Sequence, residues 1–213
     1  MANCNCPLPT ALTTIAEDSC PFNMNQISRF FITRASNATF PLTVGATASD
    51  DPTLAAFWAT LTNPALTDDT KVVLSPVVGG DPVIAGGEVL TSGGNDNTTF
   101  NGQIENNGTG ASTFTCVFKQ LTPAQARTMK DLECETLKVF MVNNEGKIFS
   151  ISQDAGVTVD GITVSALGLG DRNNTGFNSK DTHAFSFSLP PRWDDYLYEI
   201  APEAAFNPLT VTA

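Results

Sequence analysis

Apolar and polar positions alternate most cleanly in the middle of the chain. In residues 112–119, Phe114, Cys116 and Phe118 alternate with Thr113, Thr115, Val117 and Lys119, the period-two signature of a strand with one apolar face. Thr122 then suits a helix cap, with Pro123 at the first helical position, where a missing N–H costs nothing. Leu121, Ala126, Met129 and Leu132 (or Ala124) follow helical spacing, so a helix over 122–135 presents one stripe to a sheet. Residues 136–142 and 147–152 read as two more strands. Asn143-Asn144-Glu145-Gly146 between them tolerates the positive φ of a tight turn.

Around this β-helix-β-β unit the pattern is mainly β. Residues 1–25 are broken by Pro7, Pro9 and Pro21 and read as an N-terminal arm. Residues 26–34 form a strand with apolar weight on both faces, from Ile27, Phe30, Phe31 and Ile32, and 40–44 extends it or pairs with it. Asp51 caps a second helix with Pro52 in its first turn, and Asn63-Pro64 ends it. Leu54, Phe57, Trp58 and Leu61 form its apolar stripe, either packed over a sheet edge or, with Phe57 and Trp58 outward, an aromatic platform. Residues 71–78 contain a proline and read as an edge or bulged strand. Residues 79–110 are an extended hairpin or loop excursion with possible strands at 83–84, 88–90 and 98–104, and loops of that length tend to be functional. A hairpin over 156–169 turns at Asp160-Gly161, and a loop follows over 170–181. Residues 183–189 are a strand with Phe185 and Phe187 on one face, 192–200 a last strand or short helix, and 201–213 a second arm. Residues 26–200 thus make one β-rich domain, without a composition break or internal repeat.

Composition changes this picture in one respect. Charged residues are 15 %, below the about 25 % usual in soluble domains, and this weakly charged polar surface suits faces covered by neighbours. The 11 basic and 22 acidic residues give a formal charge of −11, with no Lys/Arg cluster, which argues against a dedicated nucleic-acid-binding role. No apolar run approaches the length of a spanning helix, and the first ten residues lack a basic segment followed by an apolar one, so residence in a cytoplasm is expected. Asn97 and Asn107 open acceptor-like triplets, read as chance without a signal peptide.

Candidate chemistry is sparse. Cys4, Cys6 and Cys20 are spaced C-x-C-x13-C, which lacks the fourth ligand and C-x2-C pair of a zinc site; free thiols are expected, with a disulfide as the alternative in an oxidising exterior. Cys116 and Cys134 read as core residues. His183 is the one histidine, without a nucleophile elbow, and reads as structural or surface. The doublets Asp50-Asp51, Asp68-Asp69 and Asp194-Asp195 suit caps and turns, because adjacent strand residues point to opposite faces and cannot flank one cleft. Asn95-Asp96-Asn97 could meet calcium but lacks a twelve-residue EF-hand loop. No enzyme, cofactor or metal is expected.

With these residues laid out, the chain resembles a tail tube protein of tailed bacteriophages. The resemblance rests on the N-terminal arm, the excursion at 79–110, the helix at 122–135 between strands, and the C-terminal strand and arm; the ending HAFSFSLPPRWDDYLYEIAPE is similar to structural proteins of phages infecting Bacteroidetes-type hosts. It implies a β-sandwich or half-barrel with one or two short helices, assembled in the host cytoplasm into the virion tail. Copies would form stacked hexameric rings whose sheets join into an inner barrel, with the long loop and both arms reaching the next ring. Sheath or terminator and baseplate proteins would be partners, with no membrane. Genomic DNA would pass without specific binding through an acidic lumen. Asp68, Asp69, Glu88 and Asp96 are the candidates for lumen lining or ring contact. Two other classes stand beside this one: a decoration, tail-completion or baseplate protein, and a β-sandwich module binding glycans through exposed aromatics such as Trp58 or Trp193.

Overall fold

The computed structural model describes residues 22–24, 26–36, 42–43, 51–66, 70–94, 99–154, 156–204 and 206–211. In chain order the first elements are β1 (Ile27–Arg34), β2 (Leu42–Thr43), α1 (Ala55–Leu61), β3 (Val73–Leu74), β4 (Val83–Ala85), β5 (Val89–Ser92), β6 (Glu105–Thr109) and β7 (Ser112–Lys119). There follow α2 (Pro123–Asp131), β8 (Leu137–Asn143), β9 (Ile148–Ile151), β10 (Thr158–Val159), β11 (Ile162–Leu169), β12 (Thr182–Leu189) and β13 (Leu197–Ile200). The fold is mainly β with short helices, and every strand pair is antiparallel.

The wall of the domain closes on itself. β8 pairs along one edge with β1, from Ile27↔Asn143 to Arg34↔Leu137. Its other edge takes β11 near Leu137 and β9 near Val142. β11 continues to β12 and β12 to β7. The far edge of β7 takes β4, and Val78 bridges Phe118. Val78 N–H also donates to Ser28 O at 2.9 Å, and β3 pairs with β1, which completes the circuit. A closed circuit removes the exposed edges that an open sheet would leave. β13 extends β9 as a short flap outside it.

Strand directions define two rims. Arg34, Leu137, Leu169, Thr182 and Lys119 lie on one, with α2 attached there through Leu121. Ser112, Leu189, Ala85 and the β8–β9 turn lie on the other. At that turn Asn143 Oδ1 accepts from Glu145 N–H and Lys147 N–H at 3.0 and 2.9 Å, the local bonding that favours Asn in turns. On the α2 rim, Thr122 Oγ1 accepts from Gln125 N–H while Gln125 Oε1 accepts from Thr122 N–H, a capping box. Leu121 and Met129 are buried in the barrel core, with Ala126 and Leu132 against it; Ala124 is exposed.

Two apolar layers share one wall. Inside the barrel, Phe30, Phe114, Phe185 and Phe187 pack together, with Phe114 stacked on Phe187 at 4.7 Å between ring centroids and edge-on to Phe30 at 5.1 Å. Outside, Phe31 stacks on Trp58 at 4.2 Å and Phe140 meets Trp58 edge-on at 5.3 Å. A seven-residue helix is marginal alone, so α1 depends on this burial. Residues 206–211 complete the outer layer: Phe206, Leu209 and Val211 pack on it. Arg29 ties them down, donating to Ser75 O, Leu209 O and Val211 O at 2.9, 3.0 and 2.8 Å. The C-terminal arm is thus docked on its own body through these residues.

Several local expectations are corrected. Residues 156–169 do not form a hairpin at Asp160-Gly161. β11 is drawn between β8 and β12, and β10 pairs with β2, because both places bury apolar side chains. β2 therefore pairs with β10 and not with β1. Asp51 caps a turn ahead of α1: its Oδ1 accepts from Thr53 N–H at 2.9 Å, while Leu54 is the helix N-cap. Phe57 and Trp58 are buried and form no platform. Cys134 is exposed, because the helix gives way to a 3-10 turn at Leu132–Cys134 and the changed period turns it outward. Residues 99–104 hold a 3-10 turn, Phe100–Gly102, in place of a strand.

Trp58→Ala is expected to lower the unfolding free energy by about 3–5 kcal/mol in urea titration, the usual loss for emptying a buried aromatic site. Arg29→Met is expected to raise hydrogen exchange in residues 206–211 while the amides of β7 and β12 stay protected.

Candidate assembly surface

Of the excursion expected at 79–110, residues 79–85 stay on the barrel wall and the described residues beyond them form a ribbon that leaves it. β4 lies on β7 through Val83↔Thr115 and Ala85↔Thr113, and beyond them β5 pairs with β6 from Val89↔Thr109 to Ser92↔Glu105. Among the described residues β5 and β6 pair only with each other. The hinge between wall and ribbon requires glycine: a Cβ on Gly87 would lie 2.0 Å from Gly110 O. Gly87 N–H donates to Ser112 Oγ at 3.0 Å, and Gly110 N–H to Glu88 O at 2.8 Å. At the tip Gly93 has φ +94, a left-handed conformation that glycine adopts without strain. Trp193 braces the base, its indole N–H donating to Ser112 Oγ at 3.2 Å while the ring packs against the barrel core.

What the ribbon displays is apolar and acidic. Phe100 is 81 % exposed, Ile104 72 %, Val89 64 % and Leu90 48 %, a concentration that a solitary domain would ordinarily bury. Glu88 and Glu105 are its described carboxylates, Asp81 lies on the wall ahead of β4, and no Lys or Arg occurs from residue 79 to residue 118. Glu88 is exposed at the hinge, while Asp68, Asp69 and Asp96 lie outside the described residues, as do Cys4, Cys6 and Cys20. Asp81 and Glu105 were not singled out from the sequence; the Lys/Arg-free stretch was the signal that could have found them.

The opposite rim carries a cavity of about 360 Å³ between the ends of β1 and β8 and the segment before β3. Ile32, Leu66, Val73, Leu132 and Leu137 supply apolar lining, with Arg34, Lys71 and Glu135 among the polar residues. Arg34 Nη2 donates to Glu135 Oε1 at 2.7 Å, whereas Lys71 Nζ reaches Pro64 O at 3.4 Å. The loop over 170–181 stands on the same rim with Phe177 99 % exposed. It is stapled by Arg172–Asp181 at 2.7 Å and by Lys130–Asp171 at 2.6 Å. Asn174 Nδ2 also donates to Asp181 Oδ1 at 2.6 Å, and the Arg172 bond together with this one holds the Asp181 carboxyl below its ordinary range. Between the rims, Thr113, Thr115, Ser186, Ser188, Thr163 and Ser165 alternate with the buried residues of β7, β12 and β11 as an uncharged hydroxyl-bearing face.

The remaining candidates, His183, Cys116 and Trp58, are buried. His183 is buried, with Nδ1 2.9 Å from Gly170 O at the start of β12. Burial pushes the Cys116 thiol up to about 12, far from the thiolate that nucleophilic work needs. Trp58 cannot meet a glycan, since Phe31, Phe57 and Phe140 enclose it. Among the described residues no three metal-ligating side chains converge, and no helix is long and apolar enough to cross a membrane. Comparison with family models, with curated proteins and with solved structures finds no match to this chain.

Alkylation followed by peptide mapping is expected to label Cys134 in the folded protein and Cys116 only after denaturation. The Asp181 staple contributes stability above the ordinary aspartate value of about 3.9 and loses it as pH falls through the lower folded value. An NMR pH titration is therefore expected to show Gly176 and Phe177 amides shifting in strong acid in the natural protein and not in Asp181→Asn.

Proposed function

We propose that this chain is the structural subunit of a bacteriophage tail tube, built from stacked, hexameric rings around an acidic channel that passes DNA. The single observation that carries the reading is the ribbon. A barrel that seals its own wall nonetheless extends a β5–β6 hairpin with Phe100 and Ile104 mostly exposed. Such a device is a liability in a monomer and becomes useful once another copy covers it. Because each wall is already closed, pairing between copies uses the outer edge of β5 or β13, and the barrel need not open. The surplus of acidic over basic residues suits a conduit, since carboxylates repel the phosphate backbone and prevent sticking. Glu88, exposed at the hinge, is the lumen or ring-contact candidate with a described position. A sheath or terminator and a baseplate would engage the outside and the ends of such a tube.

Negative-stain electron microscopy of the concentrated, ligand-free protein tests this directly. Rings or tubes with a central hole are expected, and dispersed monomers at every concentration would count against the proposal. The assembled material is expected to leave duplex DNA unretarded in a gel at ~0.15 M salt, where a positively charged channel would hold it.

A further inference from the structure

We propose that Asn107 is a self-modification site, where the chain converts asparagine to aspartate and isoaspartate with water as the one co-reactant. The Gly108 backbone nitrogen, once its proton passes to solvent base, attacks Cγ of Asn107. The Cγ–Nδ2 bond breaks, ammonia leaves and a cyclic succinimide closes between the two residues. Water then opens the ring at either carbonyl. One opening gives aspartate at 107; the other gives isoaspartate, with the chain continuing through the former side chain. The reaction needs an asparagine followed by a residue that does not obstruct its own nitrogen, and glycine, without a Cβ, obstructs it least. Asparagine precedes glycine at two places in the sequence, Asn101 and Asn107. The site stands whether or not copies form a tube.

The fold leaves Asn107 open and restrains Asn101. In β6, Gly108 pairs with Leu90 and Asn106 with Thr91, so Asn107 is the extra residue of a bulge and has no partner across the ladder. Asn106, Asn107 and Gly108 are exposed, and the Asn107 carboxamide makes no hydrogen bond among the described residues. Gly108 has φ +107, and a Cβ there would meet nothing within 4 Å, so there is space for the ring. Its N–H donates to Asn106 Oδ1 at 2.8 Å, a bond released when one exposed side chain rotates. Around Asn101, by contrast, backbone holds backbone. Gly102 N–H donates to Thr99 O at 3.2 Å, and Gly102 O accepts from Gly94 N–H at 3.1 Å. Opening that turn must precede attack there. Aspartate at 107 adds a carboxylate to a ribbon whose described charged residues, Glu88 and Glu105, are already acidic. Isoaspartate lengthens the backbone between Asn106 and Gly108, where the ladder already carries an extra residue, and so loosens the pairing with Leu90 and Thr91.

Peptide mapping of the full-length protein held in mild alkali tests the site. Cleavage after Glu105 puts the two asparagines in different peptides. The Asn107 peptide is expected to gain about 1 Da and to resolve into aspartate and isoaspartate forms. Its conversion is expected to run about two- to tenfold ahead of that at Asn101, the factor for one backbone hydrogen bond. Asn106→Ala, which frees Gly108 N–H, is expected to raise the Asn107 rate by a similar factor, and Asn107→Gln to abolish the change; circular dichroism verifies that both variants are folded. A short synthetic peptide of residues 103–111 is the reference for an unfolded chain. Conversion at Asn101 that equals or outruns Asn107, or an Asn107 that stays intact while the short peptide converts, overturns the proposal. An unchanged rate in Asn106→Ala overturns the role given to Asn106.

Discussion

The ladder between β1 and β8 is the constraint on which the other elements depend. β1 is bonded on both edges, to β8 and to β3, and buried on both faces. Phe30 and Ile32 enter the barrel core while Phe31 enters the outer layer with Trp58. β8 repeats the arrangement, with Val139 and Met141 inside and Phe140 and Val142 outside. A slip of one residue in this register would exchange the two sets and misplace both layers together. α1 and residues 206–211 rest on the outer set and the barrel wall on the inner one, so neither layer can rearrange alone.

That economy throws the hairpin into relief. The chain buries most of its described phenylalanines, closes its wall, and docks its C-terminal residues through the Leu209 and Val211 carbonyls bound by Arg29. Against that background, apolar side chains exposed on a ribbon fixed by glycines are the feature that the proposed assembly would cover. The described charged residues of the ribbon, Glu88 and Glu105, are both acidic, while the cavity on the far rim has Arg34, Lys71 and Glu135 together in its lining. Exposed ion pairs contribute little to stability, so in the proposed assembly charge would orient copies more than it would hold them.

How much of this was legible follows from the range of each interaction. The capping box at Thr122 and the Asn143 turn are bonds within four residues, and the chain spells them out. Period-two alternation identified β7 and β12, because their inner faces meet one apolar core. It misled at 156–169, where a local hairpin at Asp160-Gly161 and two long-range pairings have the same pattern. Asp51 and Cys134 were misassigned for a related reason: where a helix starts, and where it tightens into a 3-10 turn, is settled by what its face packs on.

The sequence by itself determined the mainly β class, the docking stripe of α2 and the acidic balance, because each depends on neighbours in the chain or on totals. Only the tertiary structure decided that the wall closes, that Trp58 is interior, and that the hairpin and the rim cavity face opposite ways. Those outcomes depend on strands far apart in the chain competing for the same edges and the same apolar volume, and no local pattern records which of them wins.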